Sequence, residues 1–163
     1  MTHQHIAPPH LQHLVFQSTV KDVRRALDTL FNGFRPLCLP AEESGTIELV
    51  LAEVLNNVVE HAYENRPNGR IELHAEQMPD GFRFEVIDEG REMPDGKLPS
   101  GHLVPIDTDL TTIPEGGFGW FLIQDLATDI HYRRSDGKNH LSFCIAVACP
   151  VLRSKPGSEP GVE

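Results

Sequence analysis

The sequence predicts an α+β fold, a two-layer sandwich in which helices cover one face of a mixed, mostly antiparallel sheet. Some segments repeat their apolar residues at helical spacing, whereas others alternate apolar and polar residues. Two turn signals, Pro79-Asp80-Gly81 and residues 135–139, join strands in pairs. The order is therefore strand, helix, helix, strand, strand, loop, helix, strand, strand.

The first strand and the first helix occupy residues 11–37. Residues 11–17 are predicted as a strand with Leu14 and Phe16 on one face. Ser18 or Thr19 caps a helix that continues to about Leu37. The side of this helix that we expect to be buried comprises Val20, Val23, Ala26, Leu27, Leu30 and Phe34.

A second helix contains residues 48–63 and ends near Asn65. Its apolar residues are Leu49, Ala52, Leu55, Val59 and Ala62, with Leu51, Val54 and Val58 beside them. Within this stripe Glu53 and Asn57 lie four residues apart, and Glu60 and His61 continue their line. Burying an unpaired polar group costs roughly 2 kcal/mol or more. The pair therefore indicates either a site that uses a carboxylate and an amide, or the solvated edge of an amphipathic helix.

The next two strands deliver a carboxylate to the buried side of the sheet. Residues 70–77 direct Ile71, Leu73 and Ala75 inward. Residues 82–88 place Asp88 on the same face as the apolar residues Phe82, Phe84 and Val86. An acidic side chain on this face is a candidate hydrogen-bond acceptor for a ligand.

A long segment rich in proline and glycine, about residues 91–116, follows and is predicted as a binding loop or lid, with a disordered insertion as the alternative. Gly116-Gly117-Phe118-Gly119 then opens a helix to about Thr128, with Phe121, Leu122 and Leu126 inward. Backbone N–H groups at such a start suit phosphate. A hinge for the preceding loop is the alternative, because neither the Walker A nor the dinucleotide motif is present.

The last two strands are predicted at residues 130–134 and 140–148. One domain is expected over residues 11–149, after a flexible N-terminus at 1–10 and before a disordered tail at 150–163. His3, His5 and His10 in the N-terminal segment could alternatively bind a transition metal.

Composition limits the classes of function. The chain has 163 residues, with 24 acidic against 14 basic side chains and a formal charge of −10. This charge disfavours nucleic acid and anionic membranes as partners. No apolar run approaches the roughly 20 residues of a membrane span, and the N-terminus lacks signal-peptide features. Cys38, Cys144 and Cys149, without CxxC spacing, predict small buried side chains in a cytoplasmic protein.

Four polar features are expected to border one pocket. Asp88 suits the exocyclic amine of a base such as adenine, and Gly90 allows a ring to approach the backbone. The amides of residues 116–119 suit phosphates. Asn57 offers an oxygen to Mg²⁺, and Glu53 can orient or deprotonate a hydroxyl.

Three motifs carry a family resemblance that covers roughly residues 11–148. Glu53-x-x-x-Asn57 followed by His61-Ala62-Tyr63 resembles an N box. Asp88-Glu89-Gly90 resembles a first glycine box, and residues 117–123 resemble a second. The sequence thus resembles the GHKL, or Bergerat-fold, ATP-binding superfamily. Within it, the resemblance is to bacterial anti-sigma factors that are also serine/threonine-protein kinases, the RsbW and SpoIIAB type.

The resemblance implies roles for individual residues. Glu53 would be the general base or water-orienting carboxylate, Asn57 the Mg²⁺ ligand and Asp88 the adenine acceptor. The remaining residues of the ATP site would be His61, Gly90, Gly116, Gly117, Phe118, Gly119 and Asn139. Two departures stand out: Glu92 occupies a frequent glycine position, and Asn139-His140 replaces a frequent Gly-Thr pair.

The resemblance also implies partners. Family members form homodimers, bind a sigma factor or a STAS-domain anti-anti-sigma protein, and phosphorylate a serine or threonine of the latter. Direct binding to nucleic acid or to a membrane is not expected. The alternatives are an anti-sigma module that holds nucleotide without catalysis, and the catalytic domain of another GHKL kinase.

Overall fold

The computed structural model describes residues 11–100 and 117–148. Expectations for residues 1–10, for most of the loop including Gly116, and for the tail lie outside these ranges. The strands are β1 (Leu11–Gln17), β2 (Arg70–Met78), β3 (Gly81–Asp88), β4 (Thr128–Ser135) and β5 (Lys138–Ala146). They form one sheet in the order β1-β2-β3-β5-β4, and each of its four pairings is antiparallel.

The helices are α1 (Val20–Phe34), α2 (Ala41–Asn57) and α3 (Gly117–Leu126). Thr19 caps α1, because the backbone N–H of Asp22 donates to its Oγ1 at 3.0 Å. The end of α2 widens into a π-helical turn, Val58–Ala62, in which the amide of Tyr63 donates to the carbonyl of Val58 at 3.0 Å. Such turns are frequent at functional sites. No helix in the described ranges has both the length and the apolarity to cross a bilayer.

The core lies between the helices and one face of the sheet, as the α+β class predicts, and the class is confirmed. The described strands form a wholly antiparallel sheet rather than the mixed sheet expected. The alternation along β2 and β3 is as expected, with Leu73, Phe84 and Val86 almost completely buried. The residues of α2 and of the π-helical turn after it that complete this core are Ile47, Val50, Leu51, Val54, Leu55, Val58 and Val59.

Several burial expectations are wrong. Val20 is 58% exposed because it is the first residue of α1, and Leu49 is 41% exposed. At 3.6 residues per turn, Leu49 lies on the side of α2 opposite Ile47. Cys38 is exposed, in the left-handed position that ends the turn after α1.

In α3, Trp120 and Ile123 are buried, whereas Phe121, Leu122 and Leu126 are only half-buried. The reason is that α3 packs against α2 through the side that carries Gly119 and Trp120.

The hairpin of β4 and β5 turns through two residues only. Asp136 and Gly137 have φ angles of 52° and 75°, the paired positive values of a tight hairpin turn. As a result β5 begins at Lys138, two residues before the predicted start. Asn139 therefore belongs to the sheet and lies directly opposite Asp88 of β3.

Candidate functional site

A cavity of about 510 Å³ lies between the end of α2, the sheet and the segment after β3. Its volume falls in the usual range of small-molecule sites. Its lining residues come from distant parts of the chain and are Val54, Asn57, Val58, His61, Ala62, Asp88, Arg91, Glu92, Met93, Pro94, Pro99, Trp120, Tyr132, Asn139 and Leu141. Most of them are apolar, so the few polar groups fix the orientation of a ligand.

Asp88 is the buried acid of this cavity, with 5% of its surface exposed. One carboxylate oxygen, Oδ1, accepts from Nδ2 of Asn139 at 2.8 Å and from the amide of Gly90 at 2.9 Å. Within the described residues no hydrogen bond reaches the other oxygen. The carboxylate is therefore held by one oxygen and offers the second to a ligand.

The electrostatics of Asp88 reflect this burial. Loss of hydration raises the pKa of the carboxyl, while hydrogen bonds from Asn139 and Gly90 and the charge of Arg134 partly offset the rise. An ionised carboxylate here is poorly solvated, so a ligand N–H group that reaches it forms a charge-assisted hydrogen bond.

Asn139 forms the floor of the cavity. Because Asn139-His140 replaces a frequent Gly-Thr pair, the family pattern did not predict what this side chain contacts. Its Oδ1 accepts from the Tyr132 hydroxyl at 2.8 Å and from Arg134 at 2.7 Å. Its Nδ2 also donates to the carbonyl of Arg91 at 2.9 Å. The Tyr132 hydroxyl in turn accepts from the amide of Met93 at 3.1 Å. One buried amide thus ties Asp88, β4 and the loop after β3 together.

Glu53 and Asn57 meet the start of α3. A Cβ added to Gly119 would lie 2.5 Å from Oε2 of Glu53 and 3.9 Å from Nδ2 of Asn57. Asn57 lines the cavity, whereas Glu53 lies beside it against Gly119. Nδ2 of Asn57 is buried and has no hydrogen-bond partner among the described residues. The amide is therefore free for a ligand, in either orientation of its oxygen and nitrogen.

This donor set fits a magnesium ion that a phosphate ligand brings with it. Mg²⁺ in proteins commonly takes one or two side-chain oxygens, with phosphates and water completing the octahedron. The unpartnered amide of Asn57 can supply one such oxygen.

The other site residues predicted from the sequence differ in whether they line the cavity. His61 lines the cavity, half-exposed, and Glu60 does not. Phe118 is 60% exposed and lies outside the cavity lining. Gly117 begins α3, and its backbone N–H group belongs to the open first turn.

Packing explains the glycine at position 90, whereas the prediction from the sequence was the close approach of a ligand. A Cβ at Gly90 would lie 2.6 Å from the carbonyl oxygen of Ala62, at the end of the π-helical turn. The neighbouring amide of Arg91 donates to the same carbonyl at 2.8 Å. Gly90 therefore brings the loop after β3 against α2 and closes one side of the cavity.

Three glycines give a matched test of this arrangement. Gly90→Ala is expected to lower the free energy of unfolding by about 1–3 kcal/mol, because its Cβ meets backbone that cannot move aside. Gly119→Ala is expected to leave stability nearly unchanged, since the mobile end of Glu53 can shift, but to weaken any activity that uses the Glu53 carboxylate about a hundredfold. Denaturant unfolding and an activity assay measure the two effects.

Gly45→Ala is the control for both changes. Gly45 lies in α2 with nothing within 4 Å of an added Cβ, so alanine should stabilise the helix by about 1 kcal/mol and leave activity intact. If Gly119→Ala keeps full activity, the contact between Gly119 and Glu53 has no functional role.

Sequence reasoning missed Trp120, Tyr132 and Arg134. Trp120 is 7% exposed and lines the cavity from α3. Tyr132 and Arg134 lie on β4, which pairs with β5; Tyr132 lines the cavity, and Arg134 contacts its floor residue Asn139. The Asp136-Gly137 turn was the available signal, because a two-residue turn sets Arg134 opposite Asn139.

Comparison with known proteins decides the family. The family model for the histidine kinase-like ATPase domain matches residues 16–145, which is most of the chain. The chain belongs to this family. The resemblance to this family is thereby confirmed, and serine-protein kinases named RsbW are among the relatives of the chain.

Relatives of this histidine kinase-like ATPase domain include kinases of two kinds. It is 28% identical over 93 residues to the serine-protein kinase RsbW of Staphylococcus aureus, covering 55% of this chain and 58% of that protein. It is 36% identical over 58 residues to blue-light-activated histidine kinase 2 of Erythrobacter litoralis, covering 35% of this chain and 17% of that protein. The chain thus spans only part of both relatives.

A solved structure supports the fold. The RsbU and RsbW domains of a protein from Mycobacterium tuberculosis match with a TM-score of 0.58 and 16% identity, over 84% of this chain and 32% of that one. At this identity the match concerns the fold alone.

Proposed function

We propose that the cavity binds ATP. The observation that carries this proposal is that Asp88 and Asn57, 31 positions apart, border one cavity of suitable size. Asp88 would accept the exocyclic amine of adenine, and the apolar lining, including Trp120 and Met93, would contact the base. The triphosphate would extend past Asn57 to the start of α3, where the amides of the first turn have no partner within the helix.

The proposed reaction is transfer of the γ-phosphate to a serine or threonine hydroxyl. Glu53 would accept the hydroxyl proton or orient the hydroxyl for attack. Asn57 would hold Mg²⁺, which when bound neutralises phosphate charge. Gly119 leaves room for the Glu53 carboxylate, and the N–H groups of α3 would hold the phosphates in place. Phosphoryl transfer depends mainly on positioning and charge stabilisation, which these groups supply.

The proposed partners are those of an anti-sigma regulatory factor. The phosphate acceptor would be a STAS-domain anti-anti-sigma protein, and a sigma factor would be the second ligand of a homodimer. The similarity to the RsbW serine-protein kinase supports this assignment. The acidic net charge of −10 agrees with protein partners rather than nucleic acid.

Transfer of labelled γ-phosphate from Mg-ATP to a STAS-domain protein tests the proposal. The acceptor should come from the same genome. The control is the same acceptor with the serine or threonine that would be phosphorylated replaced by alanine. The acceptor is expected to become labelled, and its alanine variant is expected to remain unlabelled. Labelling of neither protein, with the chain folded and ATP bound, would contradict the kinase assignment.

One observation favours a non-catalytic alternative. Glu92 lines the cavity, where related proteins often have glycine, and its negative charge disfavours a nearby triphosphate. A chain that holds nucleotide only for structure would sequester a sigma factor without turnover. Sigma-factor binding that requires ATP but shows no phosphorylated product would favour this function over the kinase.

A further inference from the structure

A second cluster of ligand-type side chains lies on the outer face of the sheet, the face opposite to the one on which the described helices pack. His13 of β1 lies directly opposite His74 of β2, and Glu72 lies two residues before His74, on the same face. Nε2 of His13 is 3.3 Å from Oε2 of Glu72, and Nε2 of His74 is 3.7 Å from the same oxygen. Two imidazole nitrogens and one carboxylate oxygen therefore converge.

The spacing fits a metal ion with short bonds. One ligand atom from each residue lies within 4.8 Å of the other two. Bonds of about 2.0–2.2 Å in a tetrahedral zinc site put neighbouring ligand atoms about 3.3 Å apart. The pair of His13 and Glu72 already has that separation, and the pair of His74 and Glu72 needs a shift of a few tenths of an ångström.

The carboxylate is oriented by a further residue. Arg70 donates to Oε1 of Glu72 from Nε at 3.1 Å and lies 3.0 Å away through its terminal nitrogen. This leaves Oε2 directed at the two histidines. Outer groups that fix a ligand in this way are a regular feature of protein metal sites.

The two histidines have room to adjust. Their rings stack with centroids 4.1 Å apart and an angle of 11°. Their side chains are 49% and 36% exposed, so the rings can tilt to direct both nitrogens at one point. Within the described residues, this is the one group of three or more such side chains with metal-ligand spacing.

We propose that His13, Glu72 and His74 bind a divalent transition-metal ion, with Zn²⁺ as the representative. Imidazole with one carboxylate suits such ions and suits Mg²⁺ and Ca²⁺ poorly. Three protein ligands leave at least one coordination position for water on the solvent side. The metal links the edge strand β1 to β2, so its bound state should hold the sheet edge more firmly. The site is separate from the ATP cavity and does not depend on it.

Zinc titration of the full chain in competition with a chromogenic chelator tests the proposal. The wild-type chain should bind one high-affinity zinc ion, and His74→Gln and Glu72→Gln should each weaken that affinity at least about tenfold. The matched control is His131→Gln, an exposed histidine on β4 outside the cluster. If His74→Gln binds zinc like the wild type, the site does not exist.

A second variant separates this site from the histidines near the N-terminus. His3, His5 and His10 precede β1 in the sequence, so they are replaced together by glutamine in the full chain. This triple variant should keep the high-affinity zinc ion. Loss of that ion in the triple variant, with retention in His74→Gln, would overturn the proposal.

Hydrogen exchange gives an independent readout. Zinc should slow amide exchange in β1 in the wild type and in His131→Gln, and should leave it unchanged in His74→Gln. Thermal unfolding without metal checks that each variant is folded. Zinc binding without any change in β1 exchange would contradict the link between the two strands.

Discussion

Glu53→Gln is expected to lower the rate of phosphoryl transfer by about 10²- to 10⁴-fold, the range that a positioned proton acceptor contributes. Glutamine keeps the size of the side chain and its place against Gly119 but cannot accept the proton. ATP should still bind, because Asp88 and the lining of the cavity are unchanged. Single-turnover transfer to the STAS-domain acceptor and a separate binding titration measure the two quantities.

Glu48→Gln is the matched control. Glu48 lies on the same helix, exposed, outside the lining of the cavity. It removes the same charge from α2, so any loss due to net charge appears in both variants. Transfer by Glu53→Gln at the wild-type rate would remove Glu53 from the mechanism.

Asp88→Asn is expected to weaken ATP binding by about ten- to a hundredfold. A hydrogen bond to a charged group is worth about 1.5–3 kcal/mol, and each 1.4 kcal/mol is about tenfold in affinity. The asparagine oxygen can keep the bonds from Asn139 and Gly90. Its NH₂ group then faces the cavity, where it opposes the adenine amine donor against donor.

Although Asp88→Asn should weaken ATP binding, it should raise the free energy of unfolding at neutral pH. Burial raises the pKa of Asp88 in the folded chain above its unfolded value. The stabilisation from the bound proton is complete below the unfolded pKa, about 3.9 for aspartate, and is lost as pH rises through the folded pKa. At pH values above the unfolded pKa, burial of this carboxyl therefore costs stability. Asp88→Asn should gain stability relative to wild type at pH 7 compared with pH 4.

Denaturant unfolding at both pH values, without nucleotide, measures this difference. Asp125→Asn is the control, since Asp125 is exposed on α3 and should show neither the loss of affinity nor the pH-dependent gain. An Asp88→Asn chain that binds ATP as tightly as wild type would show that Asp88 does not recognise the base.

The periodicity of the sequence was sufficient for the sheet and for the position of its acid. Alternation along β3 places Asp88 on the buried face whatever the rest of the chain does, because side chains in a strand change face at every residue. The shared side of Glu53 and Asn57 could likewise be predicted from the sequence, since residues four apart lie on one side of a helix. These local rules do not depend on tertiary contacts.

Groups that reach the cavity from elsewhere could not be predicted in this way. Tyr132 and Arg134 contact Asn139 through the β4–β5 hairpin, but only the place of β5 between β3 and β4 brings this group beside Asp88, and no local pattern specifies that strand order. Gly90 was attributed to a ligand because its sequence position does not show that Ala62 lies against it. Leu49 was misplaced because apolar residues surround much of α2, and only the packing selects the buried side.

The central claim is that one cavity brings Asp88, Asn57 and the start of α3 together around a nucleotide. The chain contains a single tryptophan, Trp120, and it lines this cavity. Titration of the full chain with Mg-ATP, followed by tryptophan fluorescence excited near the red edge, therefore reports directly on occupancy. A saturable change that Asp88→Asn shifts to at least about tenfold higher ATP concentration is the expected result. An unchanged emission in the wild type, together with no heat of binding in calorimetry, would contradict the account.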